Sequence, residues 1–315
     1  MTNQKPLIAV VGALSKQGRS VAQTLLQSGR YRVRALTRDT NTPAAHHLAE
    51  QGAELVAVPL RPGSKSAFAQ AFRGAHGAFL MTPVAPPDAY EFDLGKEQAD
   101  AAQEAGVEHV VFSSLENVEK LTLGTKWAPH FTDKARIEEY IRALPLTSSF
   151  VYLSFFFTNL LEYYPPSTDR GTLTFSLYLP ADFRAPFVDP LTDTGPAVLE
   201  IFDHPTRYSG AVLPVVGEIL SPLEMVKTFT KVTGIAAEYQ PADTRETFLE
   251  RFPAFGANEP LVRETLGMAE YAIEYGYFRP DRNLEWSRRF NPSALSWEKF
   301  LTKTQWNGAA LRFNR

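Results

Sequence analysis

The chain has 315 residues, enough for two domains or for one large α/β body with an appendage. Hydrophobic residues make up 44% of the sequence and charged residues 21%, which predicts a packed core and argues against long disordered stretches. The formal net charge is only −3 and no basic stripe stands out, so we expect no nucleic-acid partner.

Cysteine is absent, and the six histidines lack the spacing of metal ligands. The missing cysteine excludes disulfides, a catalytic thiol and thiolate metal centres, and we expect no metal site of any kind. The apolar run at residues 7–14 is too short to cross a bilayer and leads into polar residues without a cleavage site. We therefore expect no membrane contact and a cytoplasmic location.

The first half of the chain alternates between predicted strands and predicted helices. Residues 7–11 form a continuous apolar run, which is typical of a parallel strand covered on both faces. Further strands are predicted at 33–36, 55–58, 78–81, 107–113 and 150–153, and helices at 20–28, 44–51, 66–72, 90–105 and 137–143. This alternation indicates right-handed βαβ crossovers and an open parallel α/β sheet.

After residue 153 the pattern becomes irregular and rich in Pro, Tyr and Phe. Helices are predicted at 222–233, 244–251 and 296–303. We expect residues 154–315 to form mainly a smaller cap over the carboxyl edge of the sheet, where ligands bind in such folds.

The turn after the first strand carries the strongest chemical signal. Gly12 allows a tight turn and Gly18 lets the following helix lie close to the strand, at the place where a pyrophosphate rests on a helix N-terminus. Ser15 occupies the middle position, where the dinucleotide-binding fingerprint has glycine; it narrows the space, although its hydroxyl is able to donate to a phosphate. The alternative is an ordinary strand–helix turn, and we favour the dinucleotide site.

The end of the second strand distinguishes the two nicotinamide dinucleotides. NAD sites place a carboxylate there for the ribose 2′-hydroxyl, whereas this chain has Arg38 and no acid before Asp39. A guanidinium suits the 2′-phosphate, so Arg38 predicts NADP rather than NAD. The alternative is a solvated surface arginine.

Several motifs together resemble the NmrA-like family of the atypical short-chain dehydrogenase/reductase superfamily, and they cover nearly the whole chain. They are Gly12…Lys16-Gln17-Gly18…Ser20-Val21-Ala22, Val33-Arg34-Ala35-Leu36-Thr37-Arg38, Gly95-Lys96, the run from Val110 to Asn117, His130-Phe131-Thr132-Asp133-Lys134, the run from Phe156 to Leu161, and that from Phe290 to Leu295.

The resemblance implies a Rossmann-type doubly wound parallel sheet in residues 1–153 that binds NADP(H), completed by strands from about 185–215, with a smaller C-terminal cap domain. The cofactor positions it implies are Gly12, Leu14, Ser15, Lys16, Gln17, Gly18, Arg38, Thr82, Pro83, Lys134, Phe156, Phe157 and Asn159. Three residues depart from the family pattern: Ser15 in the turn, Pro59 in place of an adenine-binding aspartate, and Ser154 in place of a proline.

The candidate catalytic residues are Lys134 and His130. Ordinary short-chain dehydrogenases use Tyr-x-x-x-Lys, in which the tyrosine protonates the carbonyl; here His130 stands four residues before Lys134. Histidine serves as an acid near neutral pH, but a lone histidine is also often structural. A substrate pocket is predicted around Trp127, His130, Phe156 and Phe157, where the aromatic rings either contact a flat ligand or fill the core between the domains.

Two functions therefore stay open. One is an NADPH-dependent reductase of an aromatic, quinone or enone-like small molecule. The other is a non-catalytic redox regulator that senses NADP(H) and binds a protein partner. The resemblance also allows a homodimer, and a nuclear location besides the expected cytoplasmic one stays open.

Overall fold

The computed structural model describes residues 5–83, 90–169, 171–311 and 313. Its strands are β1 (Leu7–Val11), β2 (Arg32–Thr37), β3 (Glu54–Ala57), β4 (Gly77–Leu80), β5 (His109–Ser114), β6 (Thr147–Leu153), β7 (Phe155–Phe156), β8 (Ser167–Asp169), β9 (Thr172–Phe175), β10 (Ala185–Val188), β11 (Val212–Val215), β12 (Glu218–Leu220) and β13 (Ala237–Tyr239).

Helices connect these strands and cover their faces; a 3₁₀ helix spans Pro253–Ala257. The α-helices are α1 (Lys16–Ser28), α2 (Pro43–Glu50), α3 (Lys65–Phe72), α4 (Glu91–Glu104), α5 (Val118–Leu121), α6 (Pro129–Arg142), α7 (Thr158–Glu162), α8 (Pro190–Asp203), α9 (Pro205–Tyr208), α10 (Pro222–Thr233), α11 (Arg245–Arg251), α12 (Glu259–Tyr275), α13 (Trp286–Phe290) and α14 (Trp297–Thr304). Within the described ranges, none of these helices is both long and apolar enough to traverse a bilayer.

The main sheet has seven strands in the order β11-β6-β5-β4-β1-β2-β3, and all neighbouring strands are parallel. The prediction of a doubly wound parallel sheet is confirmed. The chain runs outward from β1 on one side and from β4 on the other, so the strand order reverses between them. Ligands bind at the carboxyl edge of such a reversal point, and the candidate site is therefore expected beyond Val11 and Leu80.

The predicted elements of the first half are present, but two helices, α1 and α6, begin four or more residues earlier than predicted. Helix α1 starts at Lys16 because the Ser15 hydroxyl accepts a hydrogen bond from the Gly18 N–H at 3.1 Å, which caps the helix. Helix α6 starts at Pro129, and the predicted helix 137–143 corresponds to its second half. Its polar first turns hide the apolar period of 3.6 residues on which the prediction depended.

The second half of the chain both contributes to the main sheet and builds the cap. Strand β11 is the seventh strand of the sheet, and α8 packs against α1. Strand β10, in contrast, lies in a separate three-stranded sheet, β12-β10-β7. A third sheet has the order β13-β9-β8.

Candidate functional site

The turn between β1 and α1 is compact for steric reasons. Gly12 has a positive φ of 64°, and a Cβ atom on Gly18 would lie 2.2 Å from the Gly12 carbonyl oxygen. The sequence prediction for these two glycines therefore has a physical basis in the structure. The N–H groups of Lys16 and Gln17 belong to the first helical turn, which has no intrahelical acceptors, so they are available to an anion.

The side chains around this turn have different surroundings. Leu14 is buried in the core. The Oε1 atom of Gln17 is buried without a hydrogen-bond partner among the described residues. The Lys16 ammonium forms an ion pair with Glu162 of α7, and both side chains are 13% exposed. The Lys16 cation is therefore already compensated, and this ion pair joins α7 to the start of α1.

Arg38 follows the carboxyl end of β2 and is exposed. It makes no hydrogen bond or ion pair with any residue in the described part of the chain. A guanidinium without a compensating carboxylate at this edge is available to a phosphate group.

Lys134 lies on α6 and is only 7% exposed. Its Nζ atom donates to the carbonyl oxygen of Thr82 at 3.0 Å, to the Thr82 hydroxyl at 2.8 Å, and to a carboxylate oxygen of Glu91. The Thr82 hydroxyl in turn donates to Glu91 at 2.5 Å. Because an ammonium has three N–H donors, all three of Lys134 are satisfied by protein. Pro83, which follows Thr82, is exposed.

His130 lies one turn before Lys134 on α6 and bonds to the cap. Its Nδ1 atom lies 2.6 Å from Oε1 of Glu264, and its backbone N–H donates to the same oxygen at 2.9 Å. Glu264 is 2% exposed, and its Oε2 atom is buried without a partner among the described residues. The His130 ring also packs edge-on against Phe131, with centroids 4.8 Å apart.

Trp127 is half-buried and is held by α12. The Arg263 guanidinium lies over its ring, 4.6 Å from the centroid. A Cβ atom on Gly267 would lie 2.2 Å from the Trp127 carbonyl oxygen, so the helix and this loop are in close backbone contact. Helix α12 therefore fixes both Trp127 and the His130 side chain.

The segment after β6 contributes rings to the aromatic core of the cap. Phe156 is half-buried, but Phe157 is fully buried, with its ring stacked on Phe187 at 5.8 Å and an interplanar angle of 6°. The Phe157 ring belongs to the aromatic core of the cap, together with Trp297, and its place in the substrate pocket stays a prediction. The Asn159 amide makes no hydrogen bond within the described residues, and its backbone carbonyl holds the turn instead.

Two of the clefts of this structure are lined by residues in the described ranges. One, of about 340 Å³, lies between Gly217 and Asn291, and the other, of about 220 Å³, lies between Glu116 and Arg282. Neither is lined by the segment 155–159. The pocket predicted between sheet and cap stays a prediction.

The structure brings together some of the predicted residues and adds three that the sequence did not indicate. Lys134 meets Thr82 beyond the end of β4. The acids Glu91, Glu162 and Glu264 pair with Lys134, Lys16 and His130, respectively. These acids stand 43, 146 and 134 positions from their partners. No local pattern distinguishes them from ordinary acids on helices, so only tertiary packing identifies them.

The chain matches known proteins over nearly its full length. Residues 4–305 match the model of the NmrA-like family. The NmrA-like family domain-containing oxidoreductase FrzB of Cladobotryum sp is 35% identical over 258 residues, 75% of this chain and 76% of that protein. The nitrogen metabolite repression protein nmrA of Emericella nidulans is 31% identical over 256 residues, 76% of this chain and 69% of that protein.

A solved structure resembles the whole fold. The negative transcriptional regulator NmrA, crystallised in complex with NADP, superposes with a TM-score of 0.75 at 25% identity, covering 95% of this chain and 94% of that one. The sequence relatives, the family model and the similar solved structure all indicate the same family. This chain belongs to the NmrA-like family.

Proposed function

We propose that this protein binds NADP(H) and reduces an aromatic, quinone or enone-like small molecule with it. The observation that carries the proposal is the pair of bases on α6: Lys134 is buried against the end of β4, and His130, one turn earlier, is paired with a buried carboxylate. The description of one relative as an oxidoreductase and the NADP complex of NmrA support this assignment.

The first turn fits a dinucleotide. A side chain at position 18 would clash with the Gly12 carbonyl oxygen, so this turn requires glycine. The first N–H groups of α1 remain available to a pyrophosphate. In this proposal Arg38 binds the 2′-phosphate that distinguishes NADP from NAD. The Ser15 hydroxyl accepts from the Gly18 N–H as the cap of α1 and leaves the N–H groups of Lys16 and Gln17 to the anion.

Lys134 has a holding role in this proposal. Its ammonium is anchored by Thr82 and Glu91, and to bind the hydroxyls of a ribose it exchanges one of these acceptors. The Lys134 ammonium has three acceptors: the Glu91 carboxylate and the hydroxyl and carbonyl oxygens of Thr82. If one of them is exchanged for a ribose hydroxyl, the other two still hold the ammonium beyond the end of β4. Lys134 therefore positions a sugar and does not transfer a proton.

His130 supplies the proton. NADPH supplies a hydride when bound, and an activated alkene or quinone takes up that hydride together with one proton. Since Nδ1 of His130 is engaged by Glu264, the proton leaves from Nε2, which has no partner among the described residues. The ring then regains a proton from solvent. Such general acid assistance contributes about 10²- to 10⁴-fold in rate.

The test is a turnover assay with NADPH and a panel of quinones and enones. Turnover is measured as the decrease in NADPH absorbance. His130→Phe is expected to lower kcat by about 10²-fold or more and to leave the NADPH dissociation constant nearly unchanged. His204→Phe, at an exposed histidine beyond α8, is the matched control and leaves both unchanged.

The regulator is the second candidate, and the 31% identity to a nitrogen metabolite repression protein favours it. Tight NADPH binding by the wild-type protein, with no turnover of any quinone or enone, would replace the reductase by the regulator. In that case His130→Phe has no activity to abolish.

A further inference from the structure

We propose that Glu264 is a positioning residue for His130: it orients the imidazole and fixes its tautomer so that Nε2 is the atom that delivers the proton. This inference rests on the reductase proposed above. Glu264 touches neither the sheet edge nor Lys134 in the described contacts, and it acts only through His130.

The hydrogen-bond contacts of Glu264 indicate that it positions the His130 imidazole. Within the described part of the chain, both hydrogen-bond contacts of Glu264 are with His130: its oxygen accepts from the backbone N–H at 2.9 Å and lies 2.6 Å from the ring Nδ1. A carboxylate that served only to cap α6 would need the backbone contact alone. The ring contact adds a constraint on the side chain that helix capping does not require.

The burial of Glu264 argues against a role in stability. The residue is 2% exposed, and its second carboxylate oxygen is buried without a partner in the described part of the chain. Burying a carboxylate with one oxygen unsatisfied costs free energy, and an apolar side chain of similar size would avoid that cost. The chain nevertheless places a carboxylate here, where it reaches the one histidine of α6.

The chemistry of the contact determines the tautomer. An ionised carboxylate only accepts hydrogen bonds, so Nδ1 of His130 must carry the hydrogen that joins them. In the neutral ring Nε2 then holds a lone pair and takes a proton from solvent. In the charged ring Nε2–H is the donor, and after it gives up the proton the ring returns to the tautomer that Glu264 holds.

The cap supplies this carboxylate while the sheet domain supplies the histidine. Glu264 lies on α12, the same helix that packs against the carbonyl of Trp127. Docking of α12 therefore sets the direction of Nε2. A free histidine side chain favours the tautomer with hydrogen on Nε2, so loss of Glu264 should both release the ring and shift its tautomer.

The first measurement is ¹⁵N NMR of the imidazole nitrogens in ring-labelled protein without added dinucleotide, assigned with His130→Phe. At a pH where the ring is neutral, we expect a protonated Nδ1 and an unprotonated Nε2 in the wild type. Glu264→Leu has a similar size and removes the oxygen that both His130 contacts share, so it should shift His130 toward the Nε2–H tautomer. A wild-type ring with hydrogen on Nε2 overturns the proposal, even if Glu264→Leu does not fold.

The second measurement is turnover. Glu264→Leu should lower kcat by about tenfold or more, with the NADPH dissociation constant unchanged within about twofold. Glu270→Leu, at an exposed position of the same helix, is the matched control and should change neither the tautomer nor kcat. Full kcat in Glu264→Leu overturns the proposal. If the wild type turns over no substrate, the reductase fails, and the tautomer alone decides whether Glu264 positions His130.

Discussion

The Nζ atom of Lys134 lies 2.8 Å from the hydroxyl oxygen of Thr82, which places an α6 ammonium directly beyond the end of β4. Glu91, in the first turn of α4, accepts from the same ammonium. One charged atom thus joins a strand end and two helices at the edge where the strand order of the sheet reverses.

Arg38→Ala should weaken NADPH binding by about 10- to 100-fold and barely change NADH binding, because a charge-assisted contact to the 2′-phosphate is worth about 1.5–3 kcal/mol. Calorimetric titration with both dinucleotides measures this. Arg32→Ala is the matched control, since Arg32 is exposed at the opposite end of β2. An equal loss for both dinucleotides in Arg38→Ala would refute the 2′-phosphate contact.

Ser15→Gly should preserve or improve dinucleotide affinity, because it widens the space for backbone approach to the phosphates. The structure adds a stability effect: the hydroxyl caps α1 through the Gly18 N–H, and glycine replaces such a cap at a cost of a few tenths of a kcal/mol. Ser15→Ala should cost about 1 kcal/mol instead. Urea denaturation measures the effect on the unfolding free energy, and NADPH titration measures the effect on affinity. A large loss of NADPH affinity in Ser15→Gly would contradict the prediction and show that the hydroxyl contacts a phosphate.

Lys134→Met should weaken NADPH binding and also destabilise the protein by about 3 kcal/mol, because it leaves the Glu91 carboxylate buried and unpaired. Adding Glu91→Gln should restore most of the stability and none of the affinity. The measurement is a double-mutant cycle of unfolding free energies with NADPH dissociation constants for each variant. Additive stability effects would show that Glu91 and Lys134 do not interact in solution.

Asp193 should give the unfolding free energy a distinctive pH dependence. Burial, and next the charge of Asp189, raises the pKa of Asp193 to about 7 from the ordinary 3.8. Between these values the folded protein binds a proton that the unfolded chain does not. The contribution of Asp193 to stability is therefore complete below about pH 4 and is lost as the pH rises to about 7.

Asp193→Asn removes this titration while keeping an acceptor for the Asn291 amide, which donates to Asp193 at 3.0 Å. Relative to this variant, the wild type should lose roughly 2 kcal/mol of unfolding free energy between about pH 5 and about pH 7. Urea denaturation across this range measures the difference, with the exposed Asp243→Asn as the control. A difference that is constant with pH would contradict the raised pKa.

Local patterns in the sequence determined the architecture. The apolar run of β1 predicted its bounds without error, because a strand buried on both faces leaves no polar position along its length. Gly12 and Gly18 marked the compact turn, since their requirement is steric and lies within seven residues of chain. The start of α6 was missed, because its first turns are polar on the face that meets the cap.

Tertiary structure alone decided the partners of the candidate catalytic bases and the direction of the aromatic rings. Glu264 and Glu91 look like ordinary helix acids in the sequence, and only the packing of α12 and α4 brings them to His130 and Lys134. Phe157 points into the core because its backbone pairs beside Val188 of β10. Side-chain contacts between distant segments depend on how whole elements pack, whereas strand burial and glycine turns depend on neighbouring residues.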